Sequence, residues 1–181
     1  MQTETVAEEL KRYIRTIPDF PVQGIRFRDI TTLLKDGAAF RQAVEAMWAR
    51  VAELDFDHVL AVEARGYIFG AVIAYRKGAG LVIVRKKGKL PADTIETTYS
   101  LEYGSAVLEM HKDALDPGQK VLIVDDLLAT GGTALAAAEL VQRAGAKVTA
   151  FLFLIELVDL NGRHRLTVAP VYSVITFRED E

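Results

Sequence analysis

Residues 121–133 read Val121-Leu-Ile-Val-Asp-Asp-Leu-Leu-Ala-Thr-Gly-Gly-Thr133. The apolar, largely β-branched opening predicts a buried strand that ends at two adjacent carboxylates, Asp125 and Asp126. A short loop carrying Thr130, Gly131, Gly132 and Thr133 then opens a helix predicted over 133–144, with Gly145 just past its end. In open parallel sheets, ligands gather at the carboxyl ends of strands. Successive N–H groups of a glycine-rich loop at a helix N-terminus cradle phosphate, and glycine lets the backbone come close. Thr130 and Thr133 add hydroxyl donors. Carboxylates next to a phosphate site repel its ligand unless they serve something else. A ligand with a phosphate, vicinal hydroxyls and a divalent cation resolves the conflict, because carboxylates accept hydrogen bonds from sugar hydroxyls and Mg²⁺ prefers oxygen ligands and retained water. Taken alone, Asp-Asp reads equally as a solvated, helix-capping turn. The string is neither a Walker A loop nor a Gly-x-Gly-x-x-Gly fingerprint.

Outward from this stretch, apolar strands alternate with helices. Strands are expected at 59–63, 81–85, 147–154 and Val171–Phe177, and a helix at Gly66–Lys77. Strand–helix repetition predicts an α/β fold, an open, mostly parallel sheet flanked by helices on both faces. Upstream, Val6, Leu10, Tyr13, Ile14 and Ile17 recur at helical spacing, which predicts an amphipathic helix over about 4–16, stopped by Pro18 and Pro21. Asp36 is the expected N-cap of a second helix marked by Phe40, Val44, Met47, Val51 and Leu54. The alternation breaks between Arg85 and Lys120. There, 93–101 and Ser105–His111 form a Thr/Tyr/Val-rich hairpin around Gly104, the kind of excursion that covers an active site. The chain shows no repeats and no linker, so residues 1–181 are expected to be one domain.

Composition narrows the function. The 181 residues are 50% hydrophobic and 26% charged, with mean hydropathy +0.15, enough for a sizeable core. The net charge of −3 argues against a general nucleic-acid footprint. The absence of cysteine excludes disulfides, thiol catalysis and cysteine-ligated metal. His58, His111 and His164 are scattered, with no zinc-protease spacing, and with Trp48 they are read as structural. No apolar run approaches the length of a membrane span, and the N-terminus lacks the pattern of a signal peptide, so a cytoplasmic protein is expected.

Four more segments complete the reading: Phe-Pro-x-x-Gly-Ile-x-Phe-Arg-Asp at 20–29, Glu-Ala-Arg-Gly-Tyr at 63–67, Arg-Lys-Lys-Gly-Lys-Leu-Pro at 85–91 and Tyr-Ser-Leu-Glu-Tyr-Gly at 99–104. With residues 121–133 they resemble, in order and over nearly the whole chain, the type I phosphoribosyltransferases, and among them those that act on adenine. The resemblance implies purine salvage, in which adenine and 5-phosphoribosyl 1-pyrophosphate (PRPP) give AMP and pyrophosphate with Mg²⁺. It implies a hood over the base at about 18–34, a flexible β-flap at about 90–111, and a homodimer without nucleic-acid or membrane partners.

The same resemblance implies residue roles. Asp125 and Asp126 hold the ribose hydroxyls, and the metal sits near them, bound mainly through PRPP and water. Ala129, Thr130, Gly131, Gly132 and Thr133 cradle the 5-phosphate. Arg65, Lys86 and Lys89 bind pyrophosphate, with Arg85 reaching a partner subunit's site. Phe27 and Leu127 sandwich the purine, while the Arg26 carbonyl accepts from its amine and the Arg28 N–H donates to its ring. Glu102 and Tyr103 are the catalytic pair. A non-proline cis peptide is expected between Glu63 and Ala64. The family often carries Asp-Ser at 63–64 and a small or apolar residue at 26, and this chain departs from both. Two alternatives stand beside this reading: a 6-oxopurine phosphoribosyltransferase, against which the hood argues, and a non-catalytic purine or PRPP sensor on the same fold.

Overall fold

A computed structural model describes residues 5–100, 105–179 and 181. Five strands lie parallel at the centre: β3 (His58–Val62), β4 (Gly80–Lys86), β7 (Lys120–Leu128), β8 (Lys147–Leu157) and β9 (Val171–Phe177). The hairpin of β5 (Thr94–Ser100) and β6 (Ser105–His111) joins their edge, giving a seven-stranded order of β5-β6-β4-β3-β7-β8-β9. The flap is therefore continuous with the sheet. β6 runs antiparallel to β4, pairing Arg85 with Glu109 and Lys86 with Leu108. Glu102 and Tyr103 lie outside the described residues.

Strand alternation sorts the core into two layers. Val59, Leu122, Val124 and Leu152 face α3 (Gly37–Val51) and α4 (Gly66–Lys77), while Leu60, Val62, Ile123 and Phe151 face α5 (Gly132–Arg143). Small residues bring the helices close. In α5, Ala134, Ala136, Ala137 and Ala138 are buried. In α4, a Cβ at Gly70 would stand 2.6 Å from that of Ala61 on β3, and one at Gly66 would stand 2.9 Å from the Asp125 carboxylate on β7. The two glycines seat α4 over the junction of β3 and β7. Asp36 caps α3 as expected, accepting from the Ala38 and Ala39 N–H groups at 3.0 and 2.9 Å.

Two boundaries differ from the sequence reading. The N-terminal helix is short: α1 (Val6–Lys11) starts on a capping box between Thr5 and Glu8, and Arg15–Ile17 is β1, antiparallel to β2 (Phe27–Asp29). The Tyr13 carbonyl, which a longer helix would bond internally, instead accepts from the Thr32 hydroxyl of α2 (Thr31–Leu34) at 2.5 Å. Arg15 reaches across the pair to Asp29, whose carboxyl its donors hold down at about 2. Ile14 remains in the core, so its apolar spacing reflects burial rather than helix. The second difference matters more: β7 does not end at Asp125 but continues through Leu128, and β8 runs on to Leu157 beside it. Both carboxylates thus sit on extended, paired backbone, with Asp125 opposite Phe153 of β8. Among the described residues, no helix is long and apolar enough to cross a membrane.

Candidate active site

At the carboxyl edge of β3, β4 and β7, a cavity of about 440 Å³ is lined by Glu63, Ala64, Arg65, Lys86, Asp125, Asp126, Leu127 and Thr133, with Tyr99 and Leu108 of the flap strands opposite. Two helices begin at its wall. Neither α4, preceded by Arg65, nor α5, preceded by Gly131, has a side-chain N-cap, so the leading N–H groups of both are left without side-chain acceptors at their caps. Gly131 takes φ +80° to make the turn into α5, a conformation that L side chains adopt only with strain.

The carboxylates set the electrostatics. Asp125 accepts the Asp126 N–H at 2.8 Å, and Asp126 lies 2.7 Å from the Arg65 guanidinium. That second contact is Coulombic rather than a directed hydrogen bond, because Oδ2 of Asp126 is buried and receives no donor in bonding geometry. Burial, then the neighbouring charge, pushes Asp125 well above the usual carboxylate range. Burial also raises Asp126, against the opposing pull of Arg65. The same guanidinium stands 5.1 Å over the Phe27 ring of the hood, which Phe20 meets edge-on at 5.2 Å. Arg65 therefore links the expected base site to the expected sugar site.

The cationic turn is held by two acids: Glu63, noted in the sequence only as a motif departure, and Glu109, which the sequence did not single out. Glu63 accepts from Arg85 at 3.1 Å, from the Lys89 ammonium at 2.8 Å and from the Lys86 N–H at 3.0 Å. Burial alone would raise its pKa, but these donors outweigh burial and bring it to about 2. The buried Glu109 on β6 accepts the Lys89 and Leu90 N–H groups, each at 2.8 Å. The peptide between Glu63 and Ala64 is cis as expected, and that between Phe20 and Pro21 is cis as well.

The structure thus brings Arg65, Lys86, Asp125, Asp126, Leu127 and Thr133 to one cavity, and Ala129 to Gly132 lead into it. Arg85 and Lys89 reach it through Glu63. The side chains of Arg26 and Arg28 bond elsewhere, leaving only their main-chain atoms for the expected contacts. Arg26 donates to the Glu179 and Glu181 main-chain oxygens at 2.9 and 3.0 Å. Arg28 donates to Thr16 and Glu181 at 2.7 Å each and stacks 4.1 Å over Phe177.

Against known proteins, residues 30–179 match the family described as phosphoribosyl transferase domain. The chain is 54% identical over 169 residues to the adenine phosphoribosyltransferase of Carboxydothermus hydrogenoformans, covering 93% of this chain and 99% of that one. The crystal structure of the enzyme of that name from Thermoanaerobacter pseudethanolicus superposes with a TM-score of 0.91 at 53% identity, covering 96% of this chain and 100% of the other. The Saccharomyces cerevisiae adenine phosphoribosyltransferase, solved with an iminoalditol bisphosphate and adenine, gives 0.87 at 39% identity, covering 93% and 98%.

The adjacent acid pair has a measurable signature. Because Asp125 in the folded chain titrates above the ordinary 3.8, the folded state binds more protons than the unfolded one, and stability falls as pH rises past that value. Asp125→Asn keeps an acceptor for the Asp126 N–H and removes the charge. It should raise the melting temperature of the ligand-free protein by several degrees at pH 7 and by less at pH 4. A variant no more stable than wild type at pH 7 would mean that the charge is not stored there.

Proposed function

This chain belongs to the adenine phosphoribosyltransferases, and we propose that the cavity at the sheet's carboxyl edge is where it transfers the 5-phosphoribosyl group from PRPP to adenine. The observation that carries this assignment is a pair of adjacent carboxylates, Asp126 buried and Asp125 half-buried, beside an uncapped, glycine-turned helix start, facing a cationic turn. Asp125 and Asp126 accept hydrogen bonds from the ribose hydroxyls. Residues 129–133 hold the 5-phosphate with backbone N–H groups and the Thr130 and Thr133 hydroxyls. Arg65, Lys86, Lys89 and Arg85 take the pyrophosphate. For the last two this means exchanging one anion, the Glu63 carboxylate, for another. As the C1–O bond to pyrophosphate breaks, positive character develops at C1 and adenine N9 closes on it from the opposite face. The chain supplies orientation and charge placement rather than a covalent intermediate.

Magnesium fits this donor set. The buried Oδ2 of Asp126 lacks a directed donor. The ion would be held mainly through PRPP and water, near Asp125 and Asp126. When bound, the ion supplies neutralising charge to the departing pyrophosphate. PRPP is too highly charged to cross a lipid bilayer unaided, which supports a cytoplasmic location.

For the base, Phe27 and Leu127 supply apolar faces, the Arg26 carbonyl accepts from the exocyclic amine, and the Arg28 N–H donates to N1. A 6-oxo group would turn an acceptor toward the Arg26 carbonyl. With PRPP, Mg²⁺ and each purine in turn, adenine should exceed hypoxanthine and guanine in kcat/KM by about 10⁴ or more. Comparable rates with hypoxanthine would replace the adenine reading with a 6-oxopurine one.

Glu102, next to Tyr103 in the sequence, acts at the transition state by accepting the purine proton or steadying positive charge. Glu102→Ala should lower kcat by roughly 10²–10⁴-fold while PRPP affinity stays near wild type. Glu102→Gln separates the roles, since the amide positions but takes no proton. Full kcat in both variants would remove Glu102 from catalysis.

The homodimer reading is supported by an uncovered apolar face. Leu81 and Ile83 alternate with buried Val82 and Val84, so they point to the α4 side of β4, where they are 45% and 38% exposed. Arg85 follows on the same alternation, with its guanidinium on Glu63 and the Lys89 carbonyl, contacts it would exchange to reach a second copy. Light scattering should give a mass near twice the 20.0 kDa of one chain, and Ile83→Glu should shift it toward one. A wild-type mass of one chain at micromolar concentration would overturn the dimer.

A further inference from the structure

Beyond β8 the chain makes two 3₁₀ turns, Val158–Leu160 and Gly162–Arg165, joined by Asn161 in the left-handed region. The second turn lies against the phosphate loop, main chain on main chain. A Cβ on Gly162 would stand 2.1 Å from the Ala129 carbonyl oxygen, 2.8 Å from the Gly131 nitrogen and 2.9 Å from the Thr130 carbonyl carbon. From the other side, a Cβ on Gly131 would stand 2.7 Å from the Gly162 carbonyl oxygen. Neither approach leaves room for a side chain, and neither neighbour is a flexible tip that could swing away. Arg165 adds a hydrogen bond from its guanidinium to the Thr130 carbonyl at 3.2 Å.

The turn is itself anchored. Glu156 closes the apolar run of β8 opposite Leu128, the last residue of β7 before the loop. Its buried carboxylate receives the Arg163 guanidinium on both oxygens, at 2.9 and 2.5 Å, and the Ser173 hydroxyl at 2.6 Å. Arg163 also donates to the Ser173 hydroxyl at 3.1 Å and to the Val171 carbonyl on β9 at 2.5 Å. A bidentate guanidinium–carboxylate pair fixes direction as well as distance. The chain of contacts runs from β9 and β8 through Glu156 and Arg163 to Gly162, and from Gly162 to Ala129, Thr130 and Gly131.

We propose that residues 156–165 are a brace for the 5-phosphate cradle, with Glu156, Gly162, Arg163 and Arg165 as positioning residues that touch no substrate. This rests on the reading of residues 129–133 as the 5-phosphate site. Glycine freedom is what lets that loop turn, and it is also what would let the loop wander. Several donors serve one anion only while they converge on it, and small misplacements cost heavily in aligned sites. The brace removes that freedom from outside, by packing main chain against main chain at Ala129, Thr130 and Gly131.

The test is direct binding of ribose 5-phosphate, which engages the cradle, and of pyrophosphate, which does not, measured by calorimetry on the full chain. Arg165 is exposed, so Arg165→Ala leaves the fold intact. It should weaken ribose 5-phosphate roughly three- to tenfold, the worth of one hydrogen bond. Pyrophosphate affinity and melting temperature should stay put, and Arg165→Lys, which keeps a donor, should recover part of the loss. Gly162→Ala should weaken ribose 5-phosphate by about tenfold or more. If that variant does not fold, the Arg165 pair decides. Thr133→Ala is the control for the cradle. If it weakens ribose 5-phosphate while the Gly162 and Arg165 variants bind normally, the brace is wrong and the cradle stands. If Thr133→Ala also binds normally, the cradle reading fails and the brace falls with it. Equal loss of ribose 5-phosphate and pyrophosphate in Arg165→Ala would show general loosening and overturn the proposal.

Discussion

Asp125 and Asp126 stand next to each other on a paired strand, with a single guanidinium, that of Arg65, against them. Like charges brought together out of water repel strongly, and nothing in the free protein satisfies Oδ2 of Asp126. Such an arrangement persists only if the surrounding fold leaves the side chains nowhere else to go. The parallel neighbour β8 does this for the backbone, and α4 does it for the carboxylates by resting Gly66 on Asp125. The seating of α4 in turn places Arg65 at its N-terminus, over both Asp126 and Phe27. The proposed sugar and base contacts and the packing of α4 are thus one mechanical problem with one solution.

The cationic turn shows the opposite balance. Its positive charges come with counter-charges already installed, Glu63 toward the cavity and Glu109 beneath. Together with the Lys87–Glu96 contact to the flap strand, at 2.8 Å, these keep a run of four cations in one folded shape. On the proposed reading, an incoming polyanion meets a shaped surface rather than four loose side chains, at the cost of displacing a carboxylate.

Much of this was legible in the residues. Strand–helix alternation, the Asp36 cap, the hairpin and the convergence of Asp125, Asp126, Arg65, Lys86 and Thr133 all follow from local pattern and from the rule that ligands gather at strand ends. What failed to read were features decided by partners distant in sequence. Tyr13 and Ile14 keep helical spacing, but the Thr32 hydroxyl and Asp29 claim that segment for a two-stranded pair. The strand of residues 120–128 outlasts its apolar run because β8 continues beside it, so the acids lie within the sheet. Glu63 looked like a substitute for a smaller acid until register brought it under Arg85 and Lys89. The brace had a faint signal, a lone carboxylate closing the apolar run of β8, with nothing nearby to say what it would bind.

The ties of the hood have a consequence for how the protein is made. Arg26 and Arg28 fasten the hood to main-chain oxygens at residues 178–181, with Arg26 and Glu179 separated by 153 positions. Contacts at that separation close a long loop, so the hood is fastened only once the intervening sheet has brought residues 26–28 and 178–181 together.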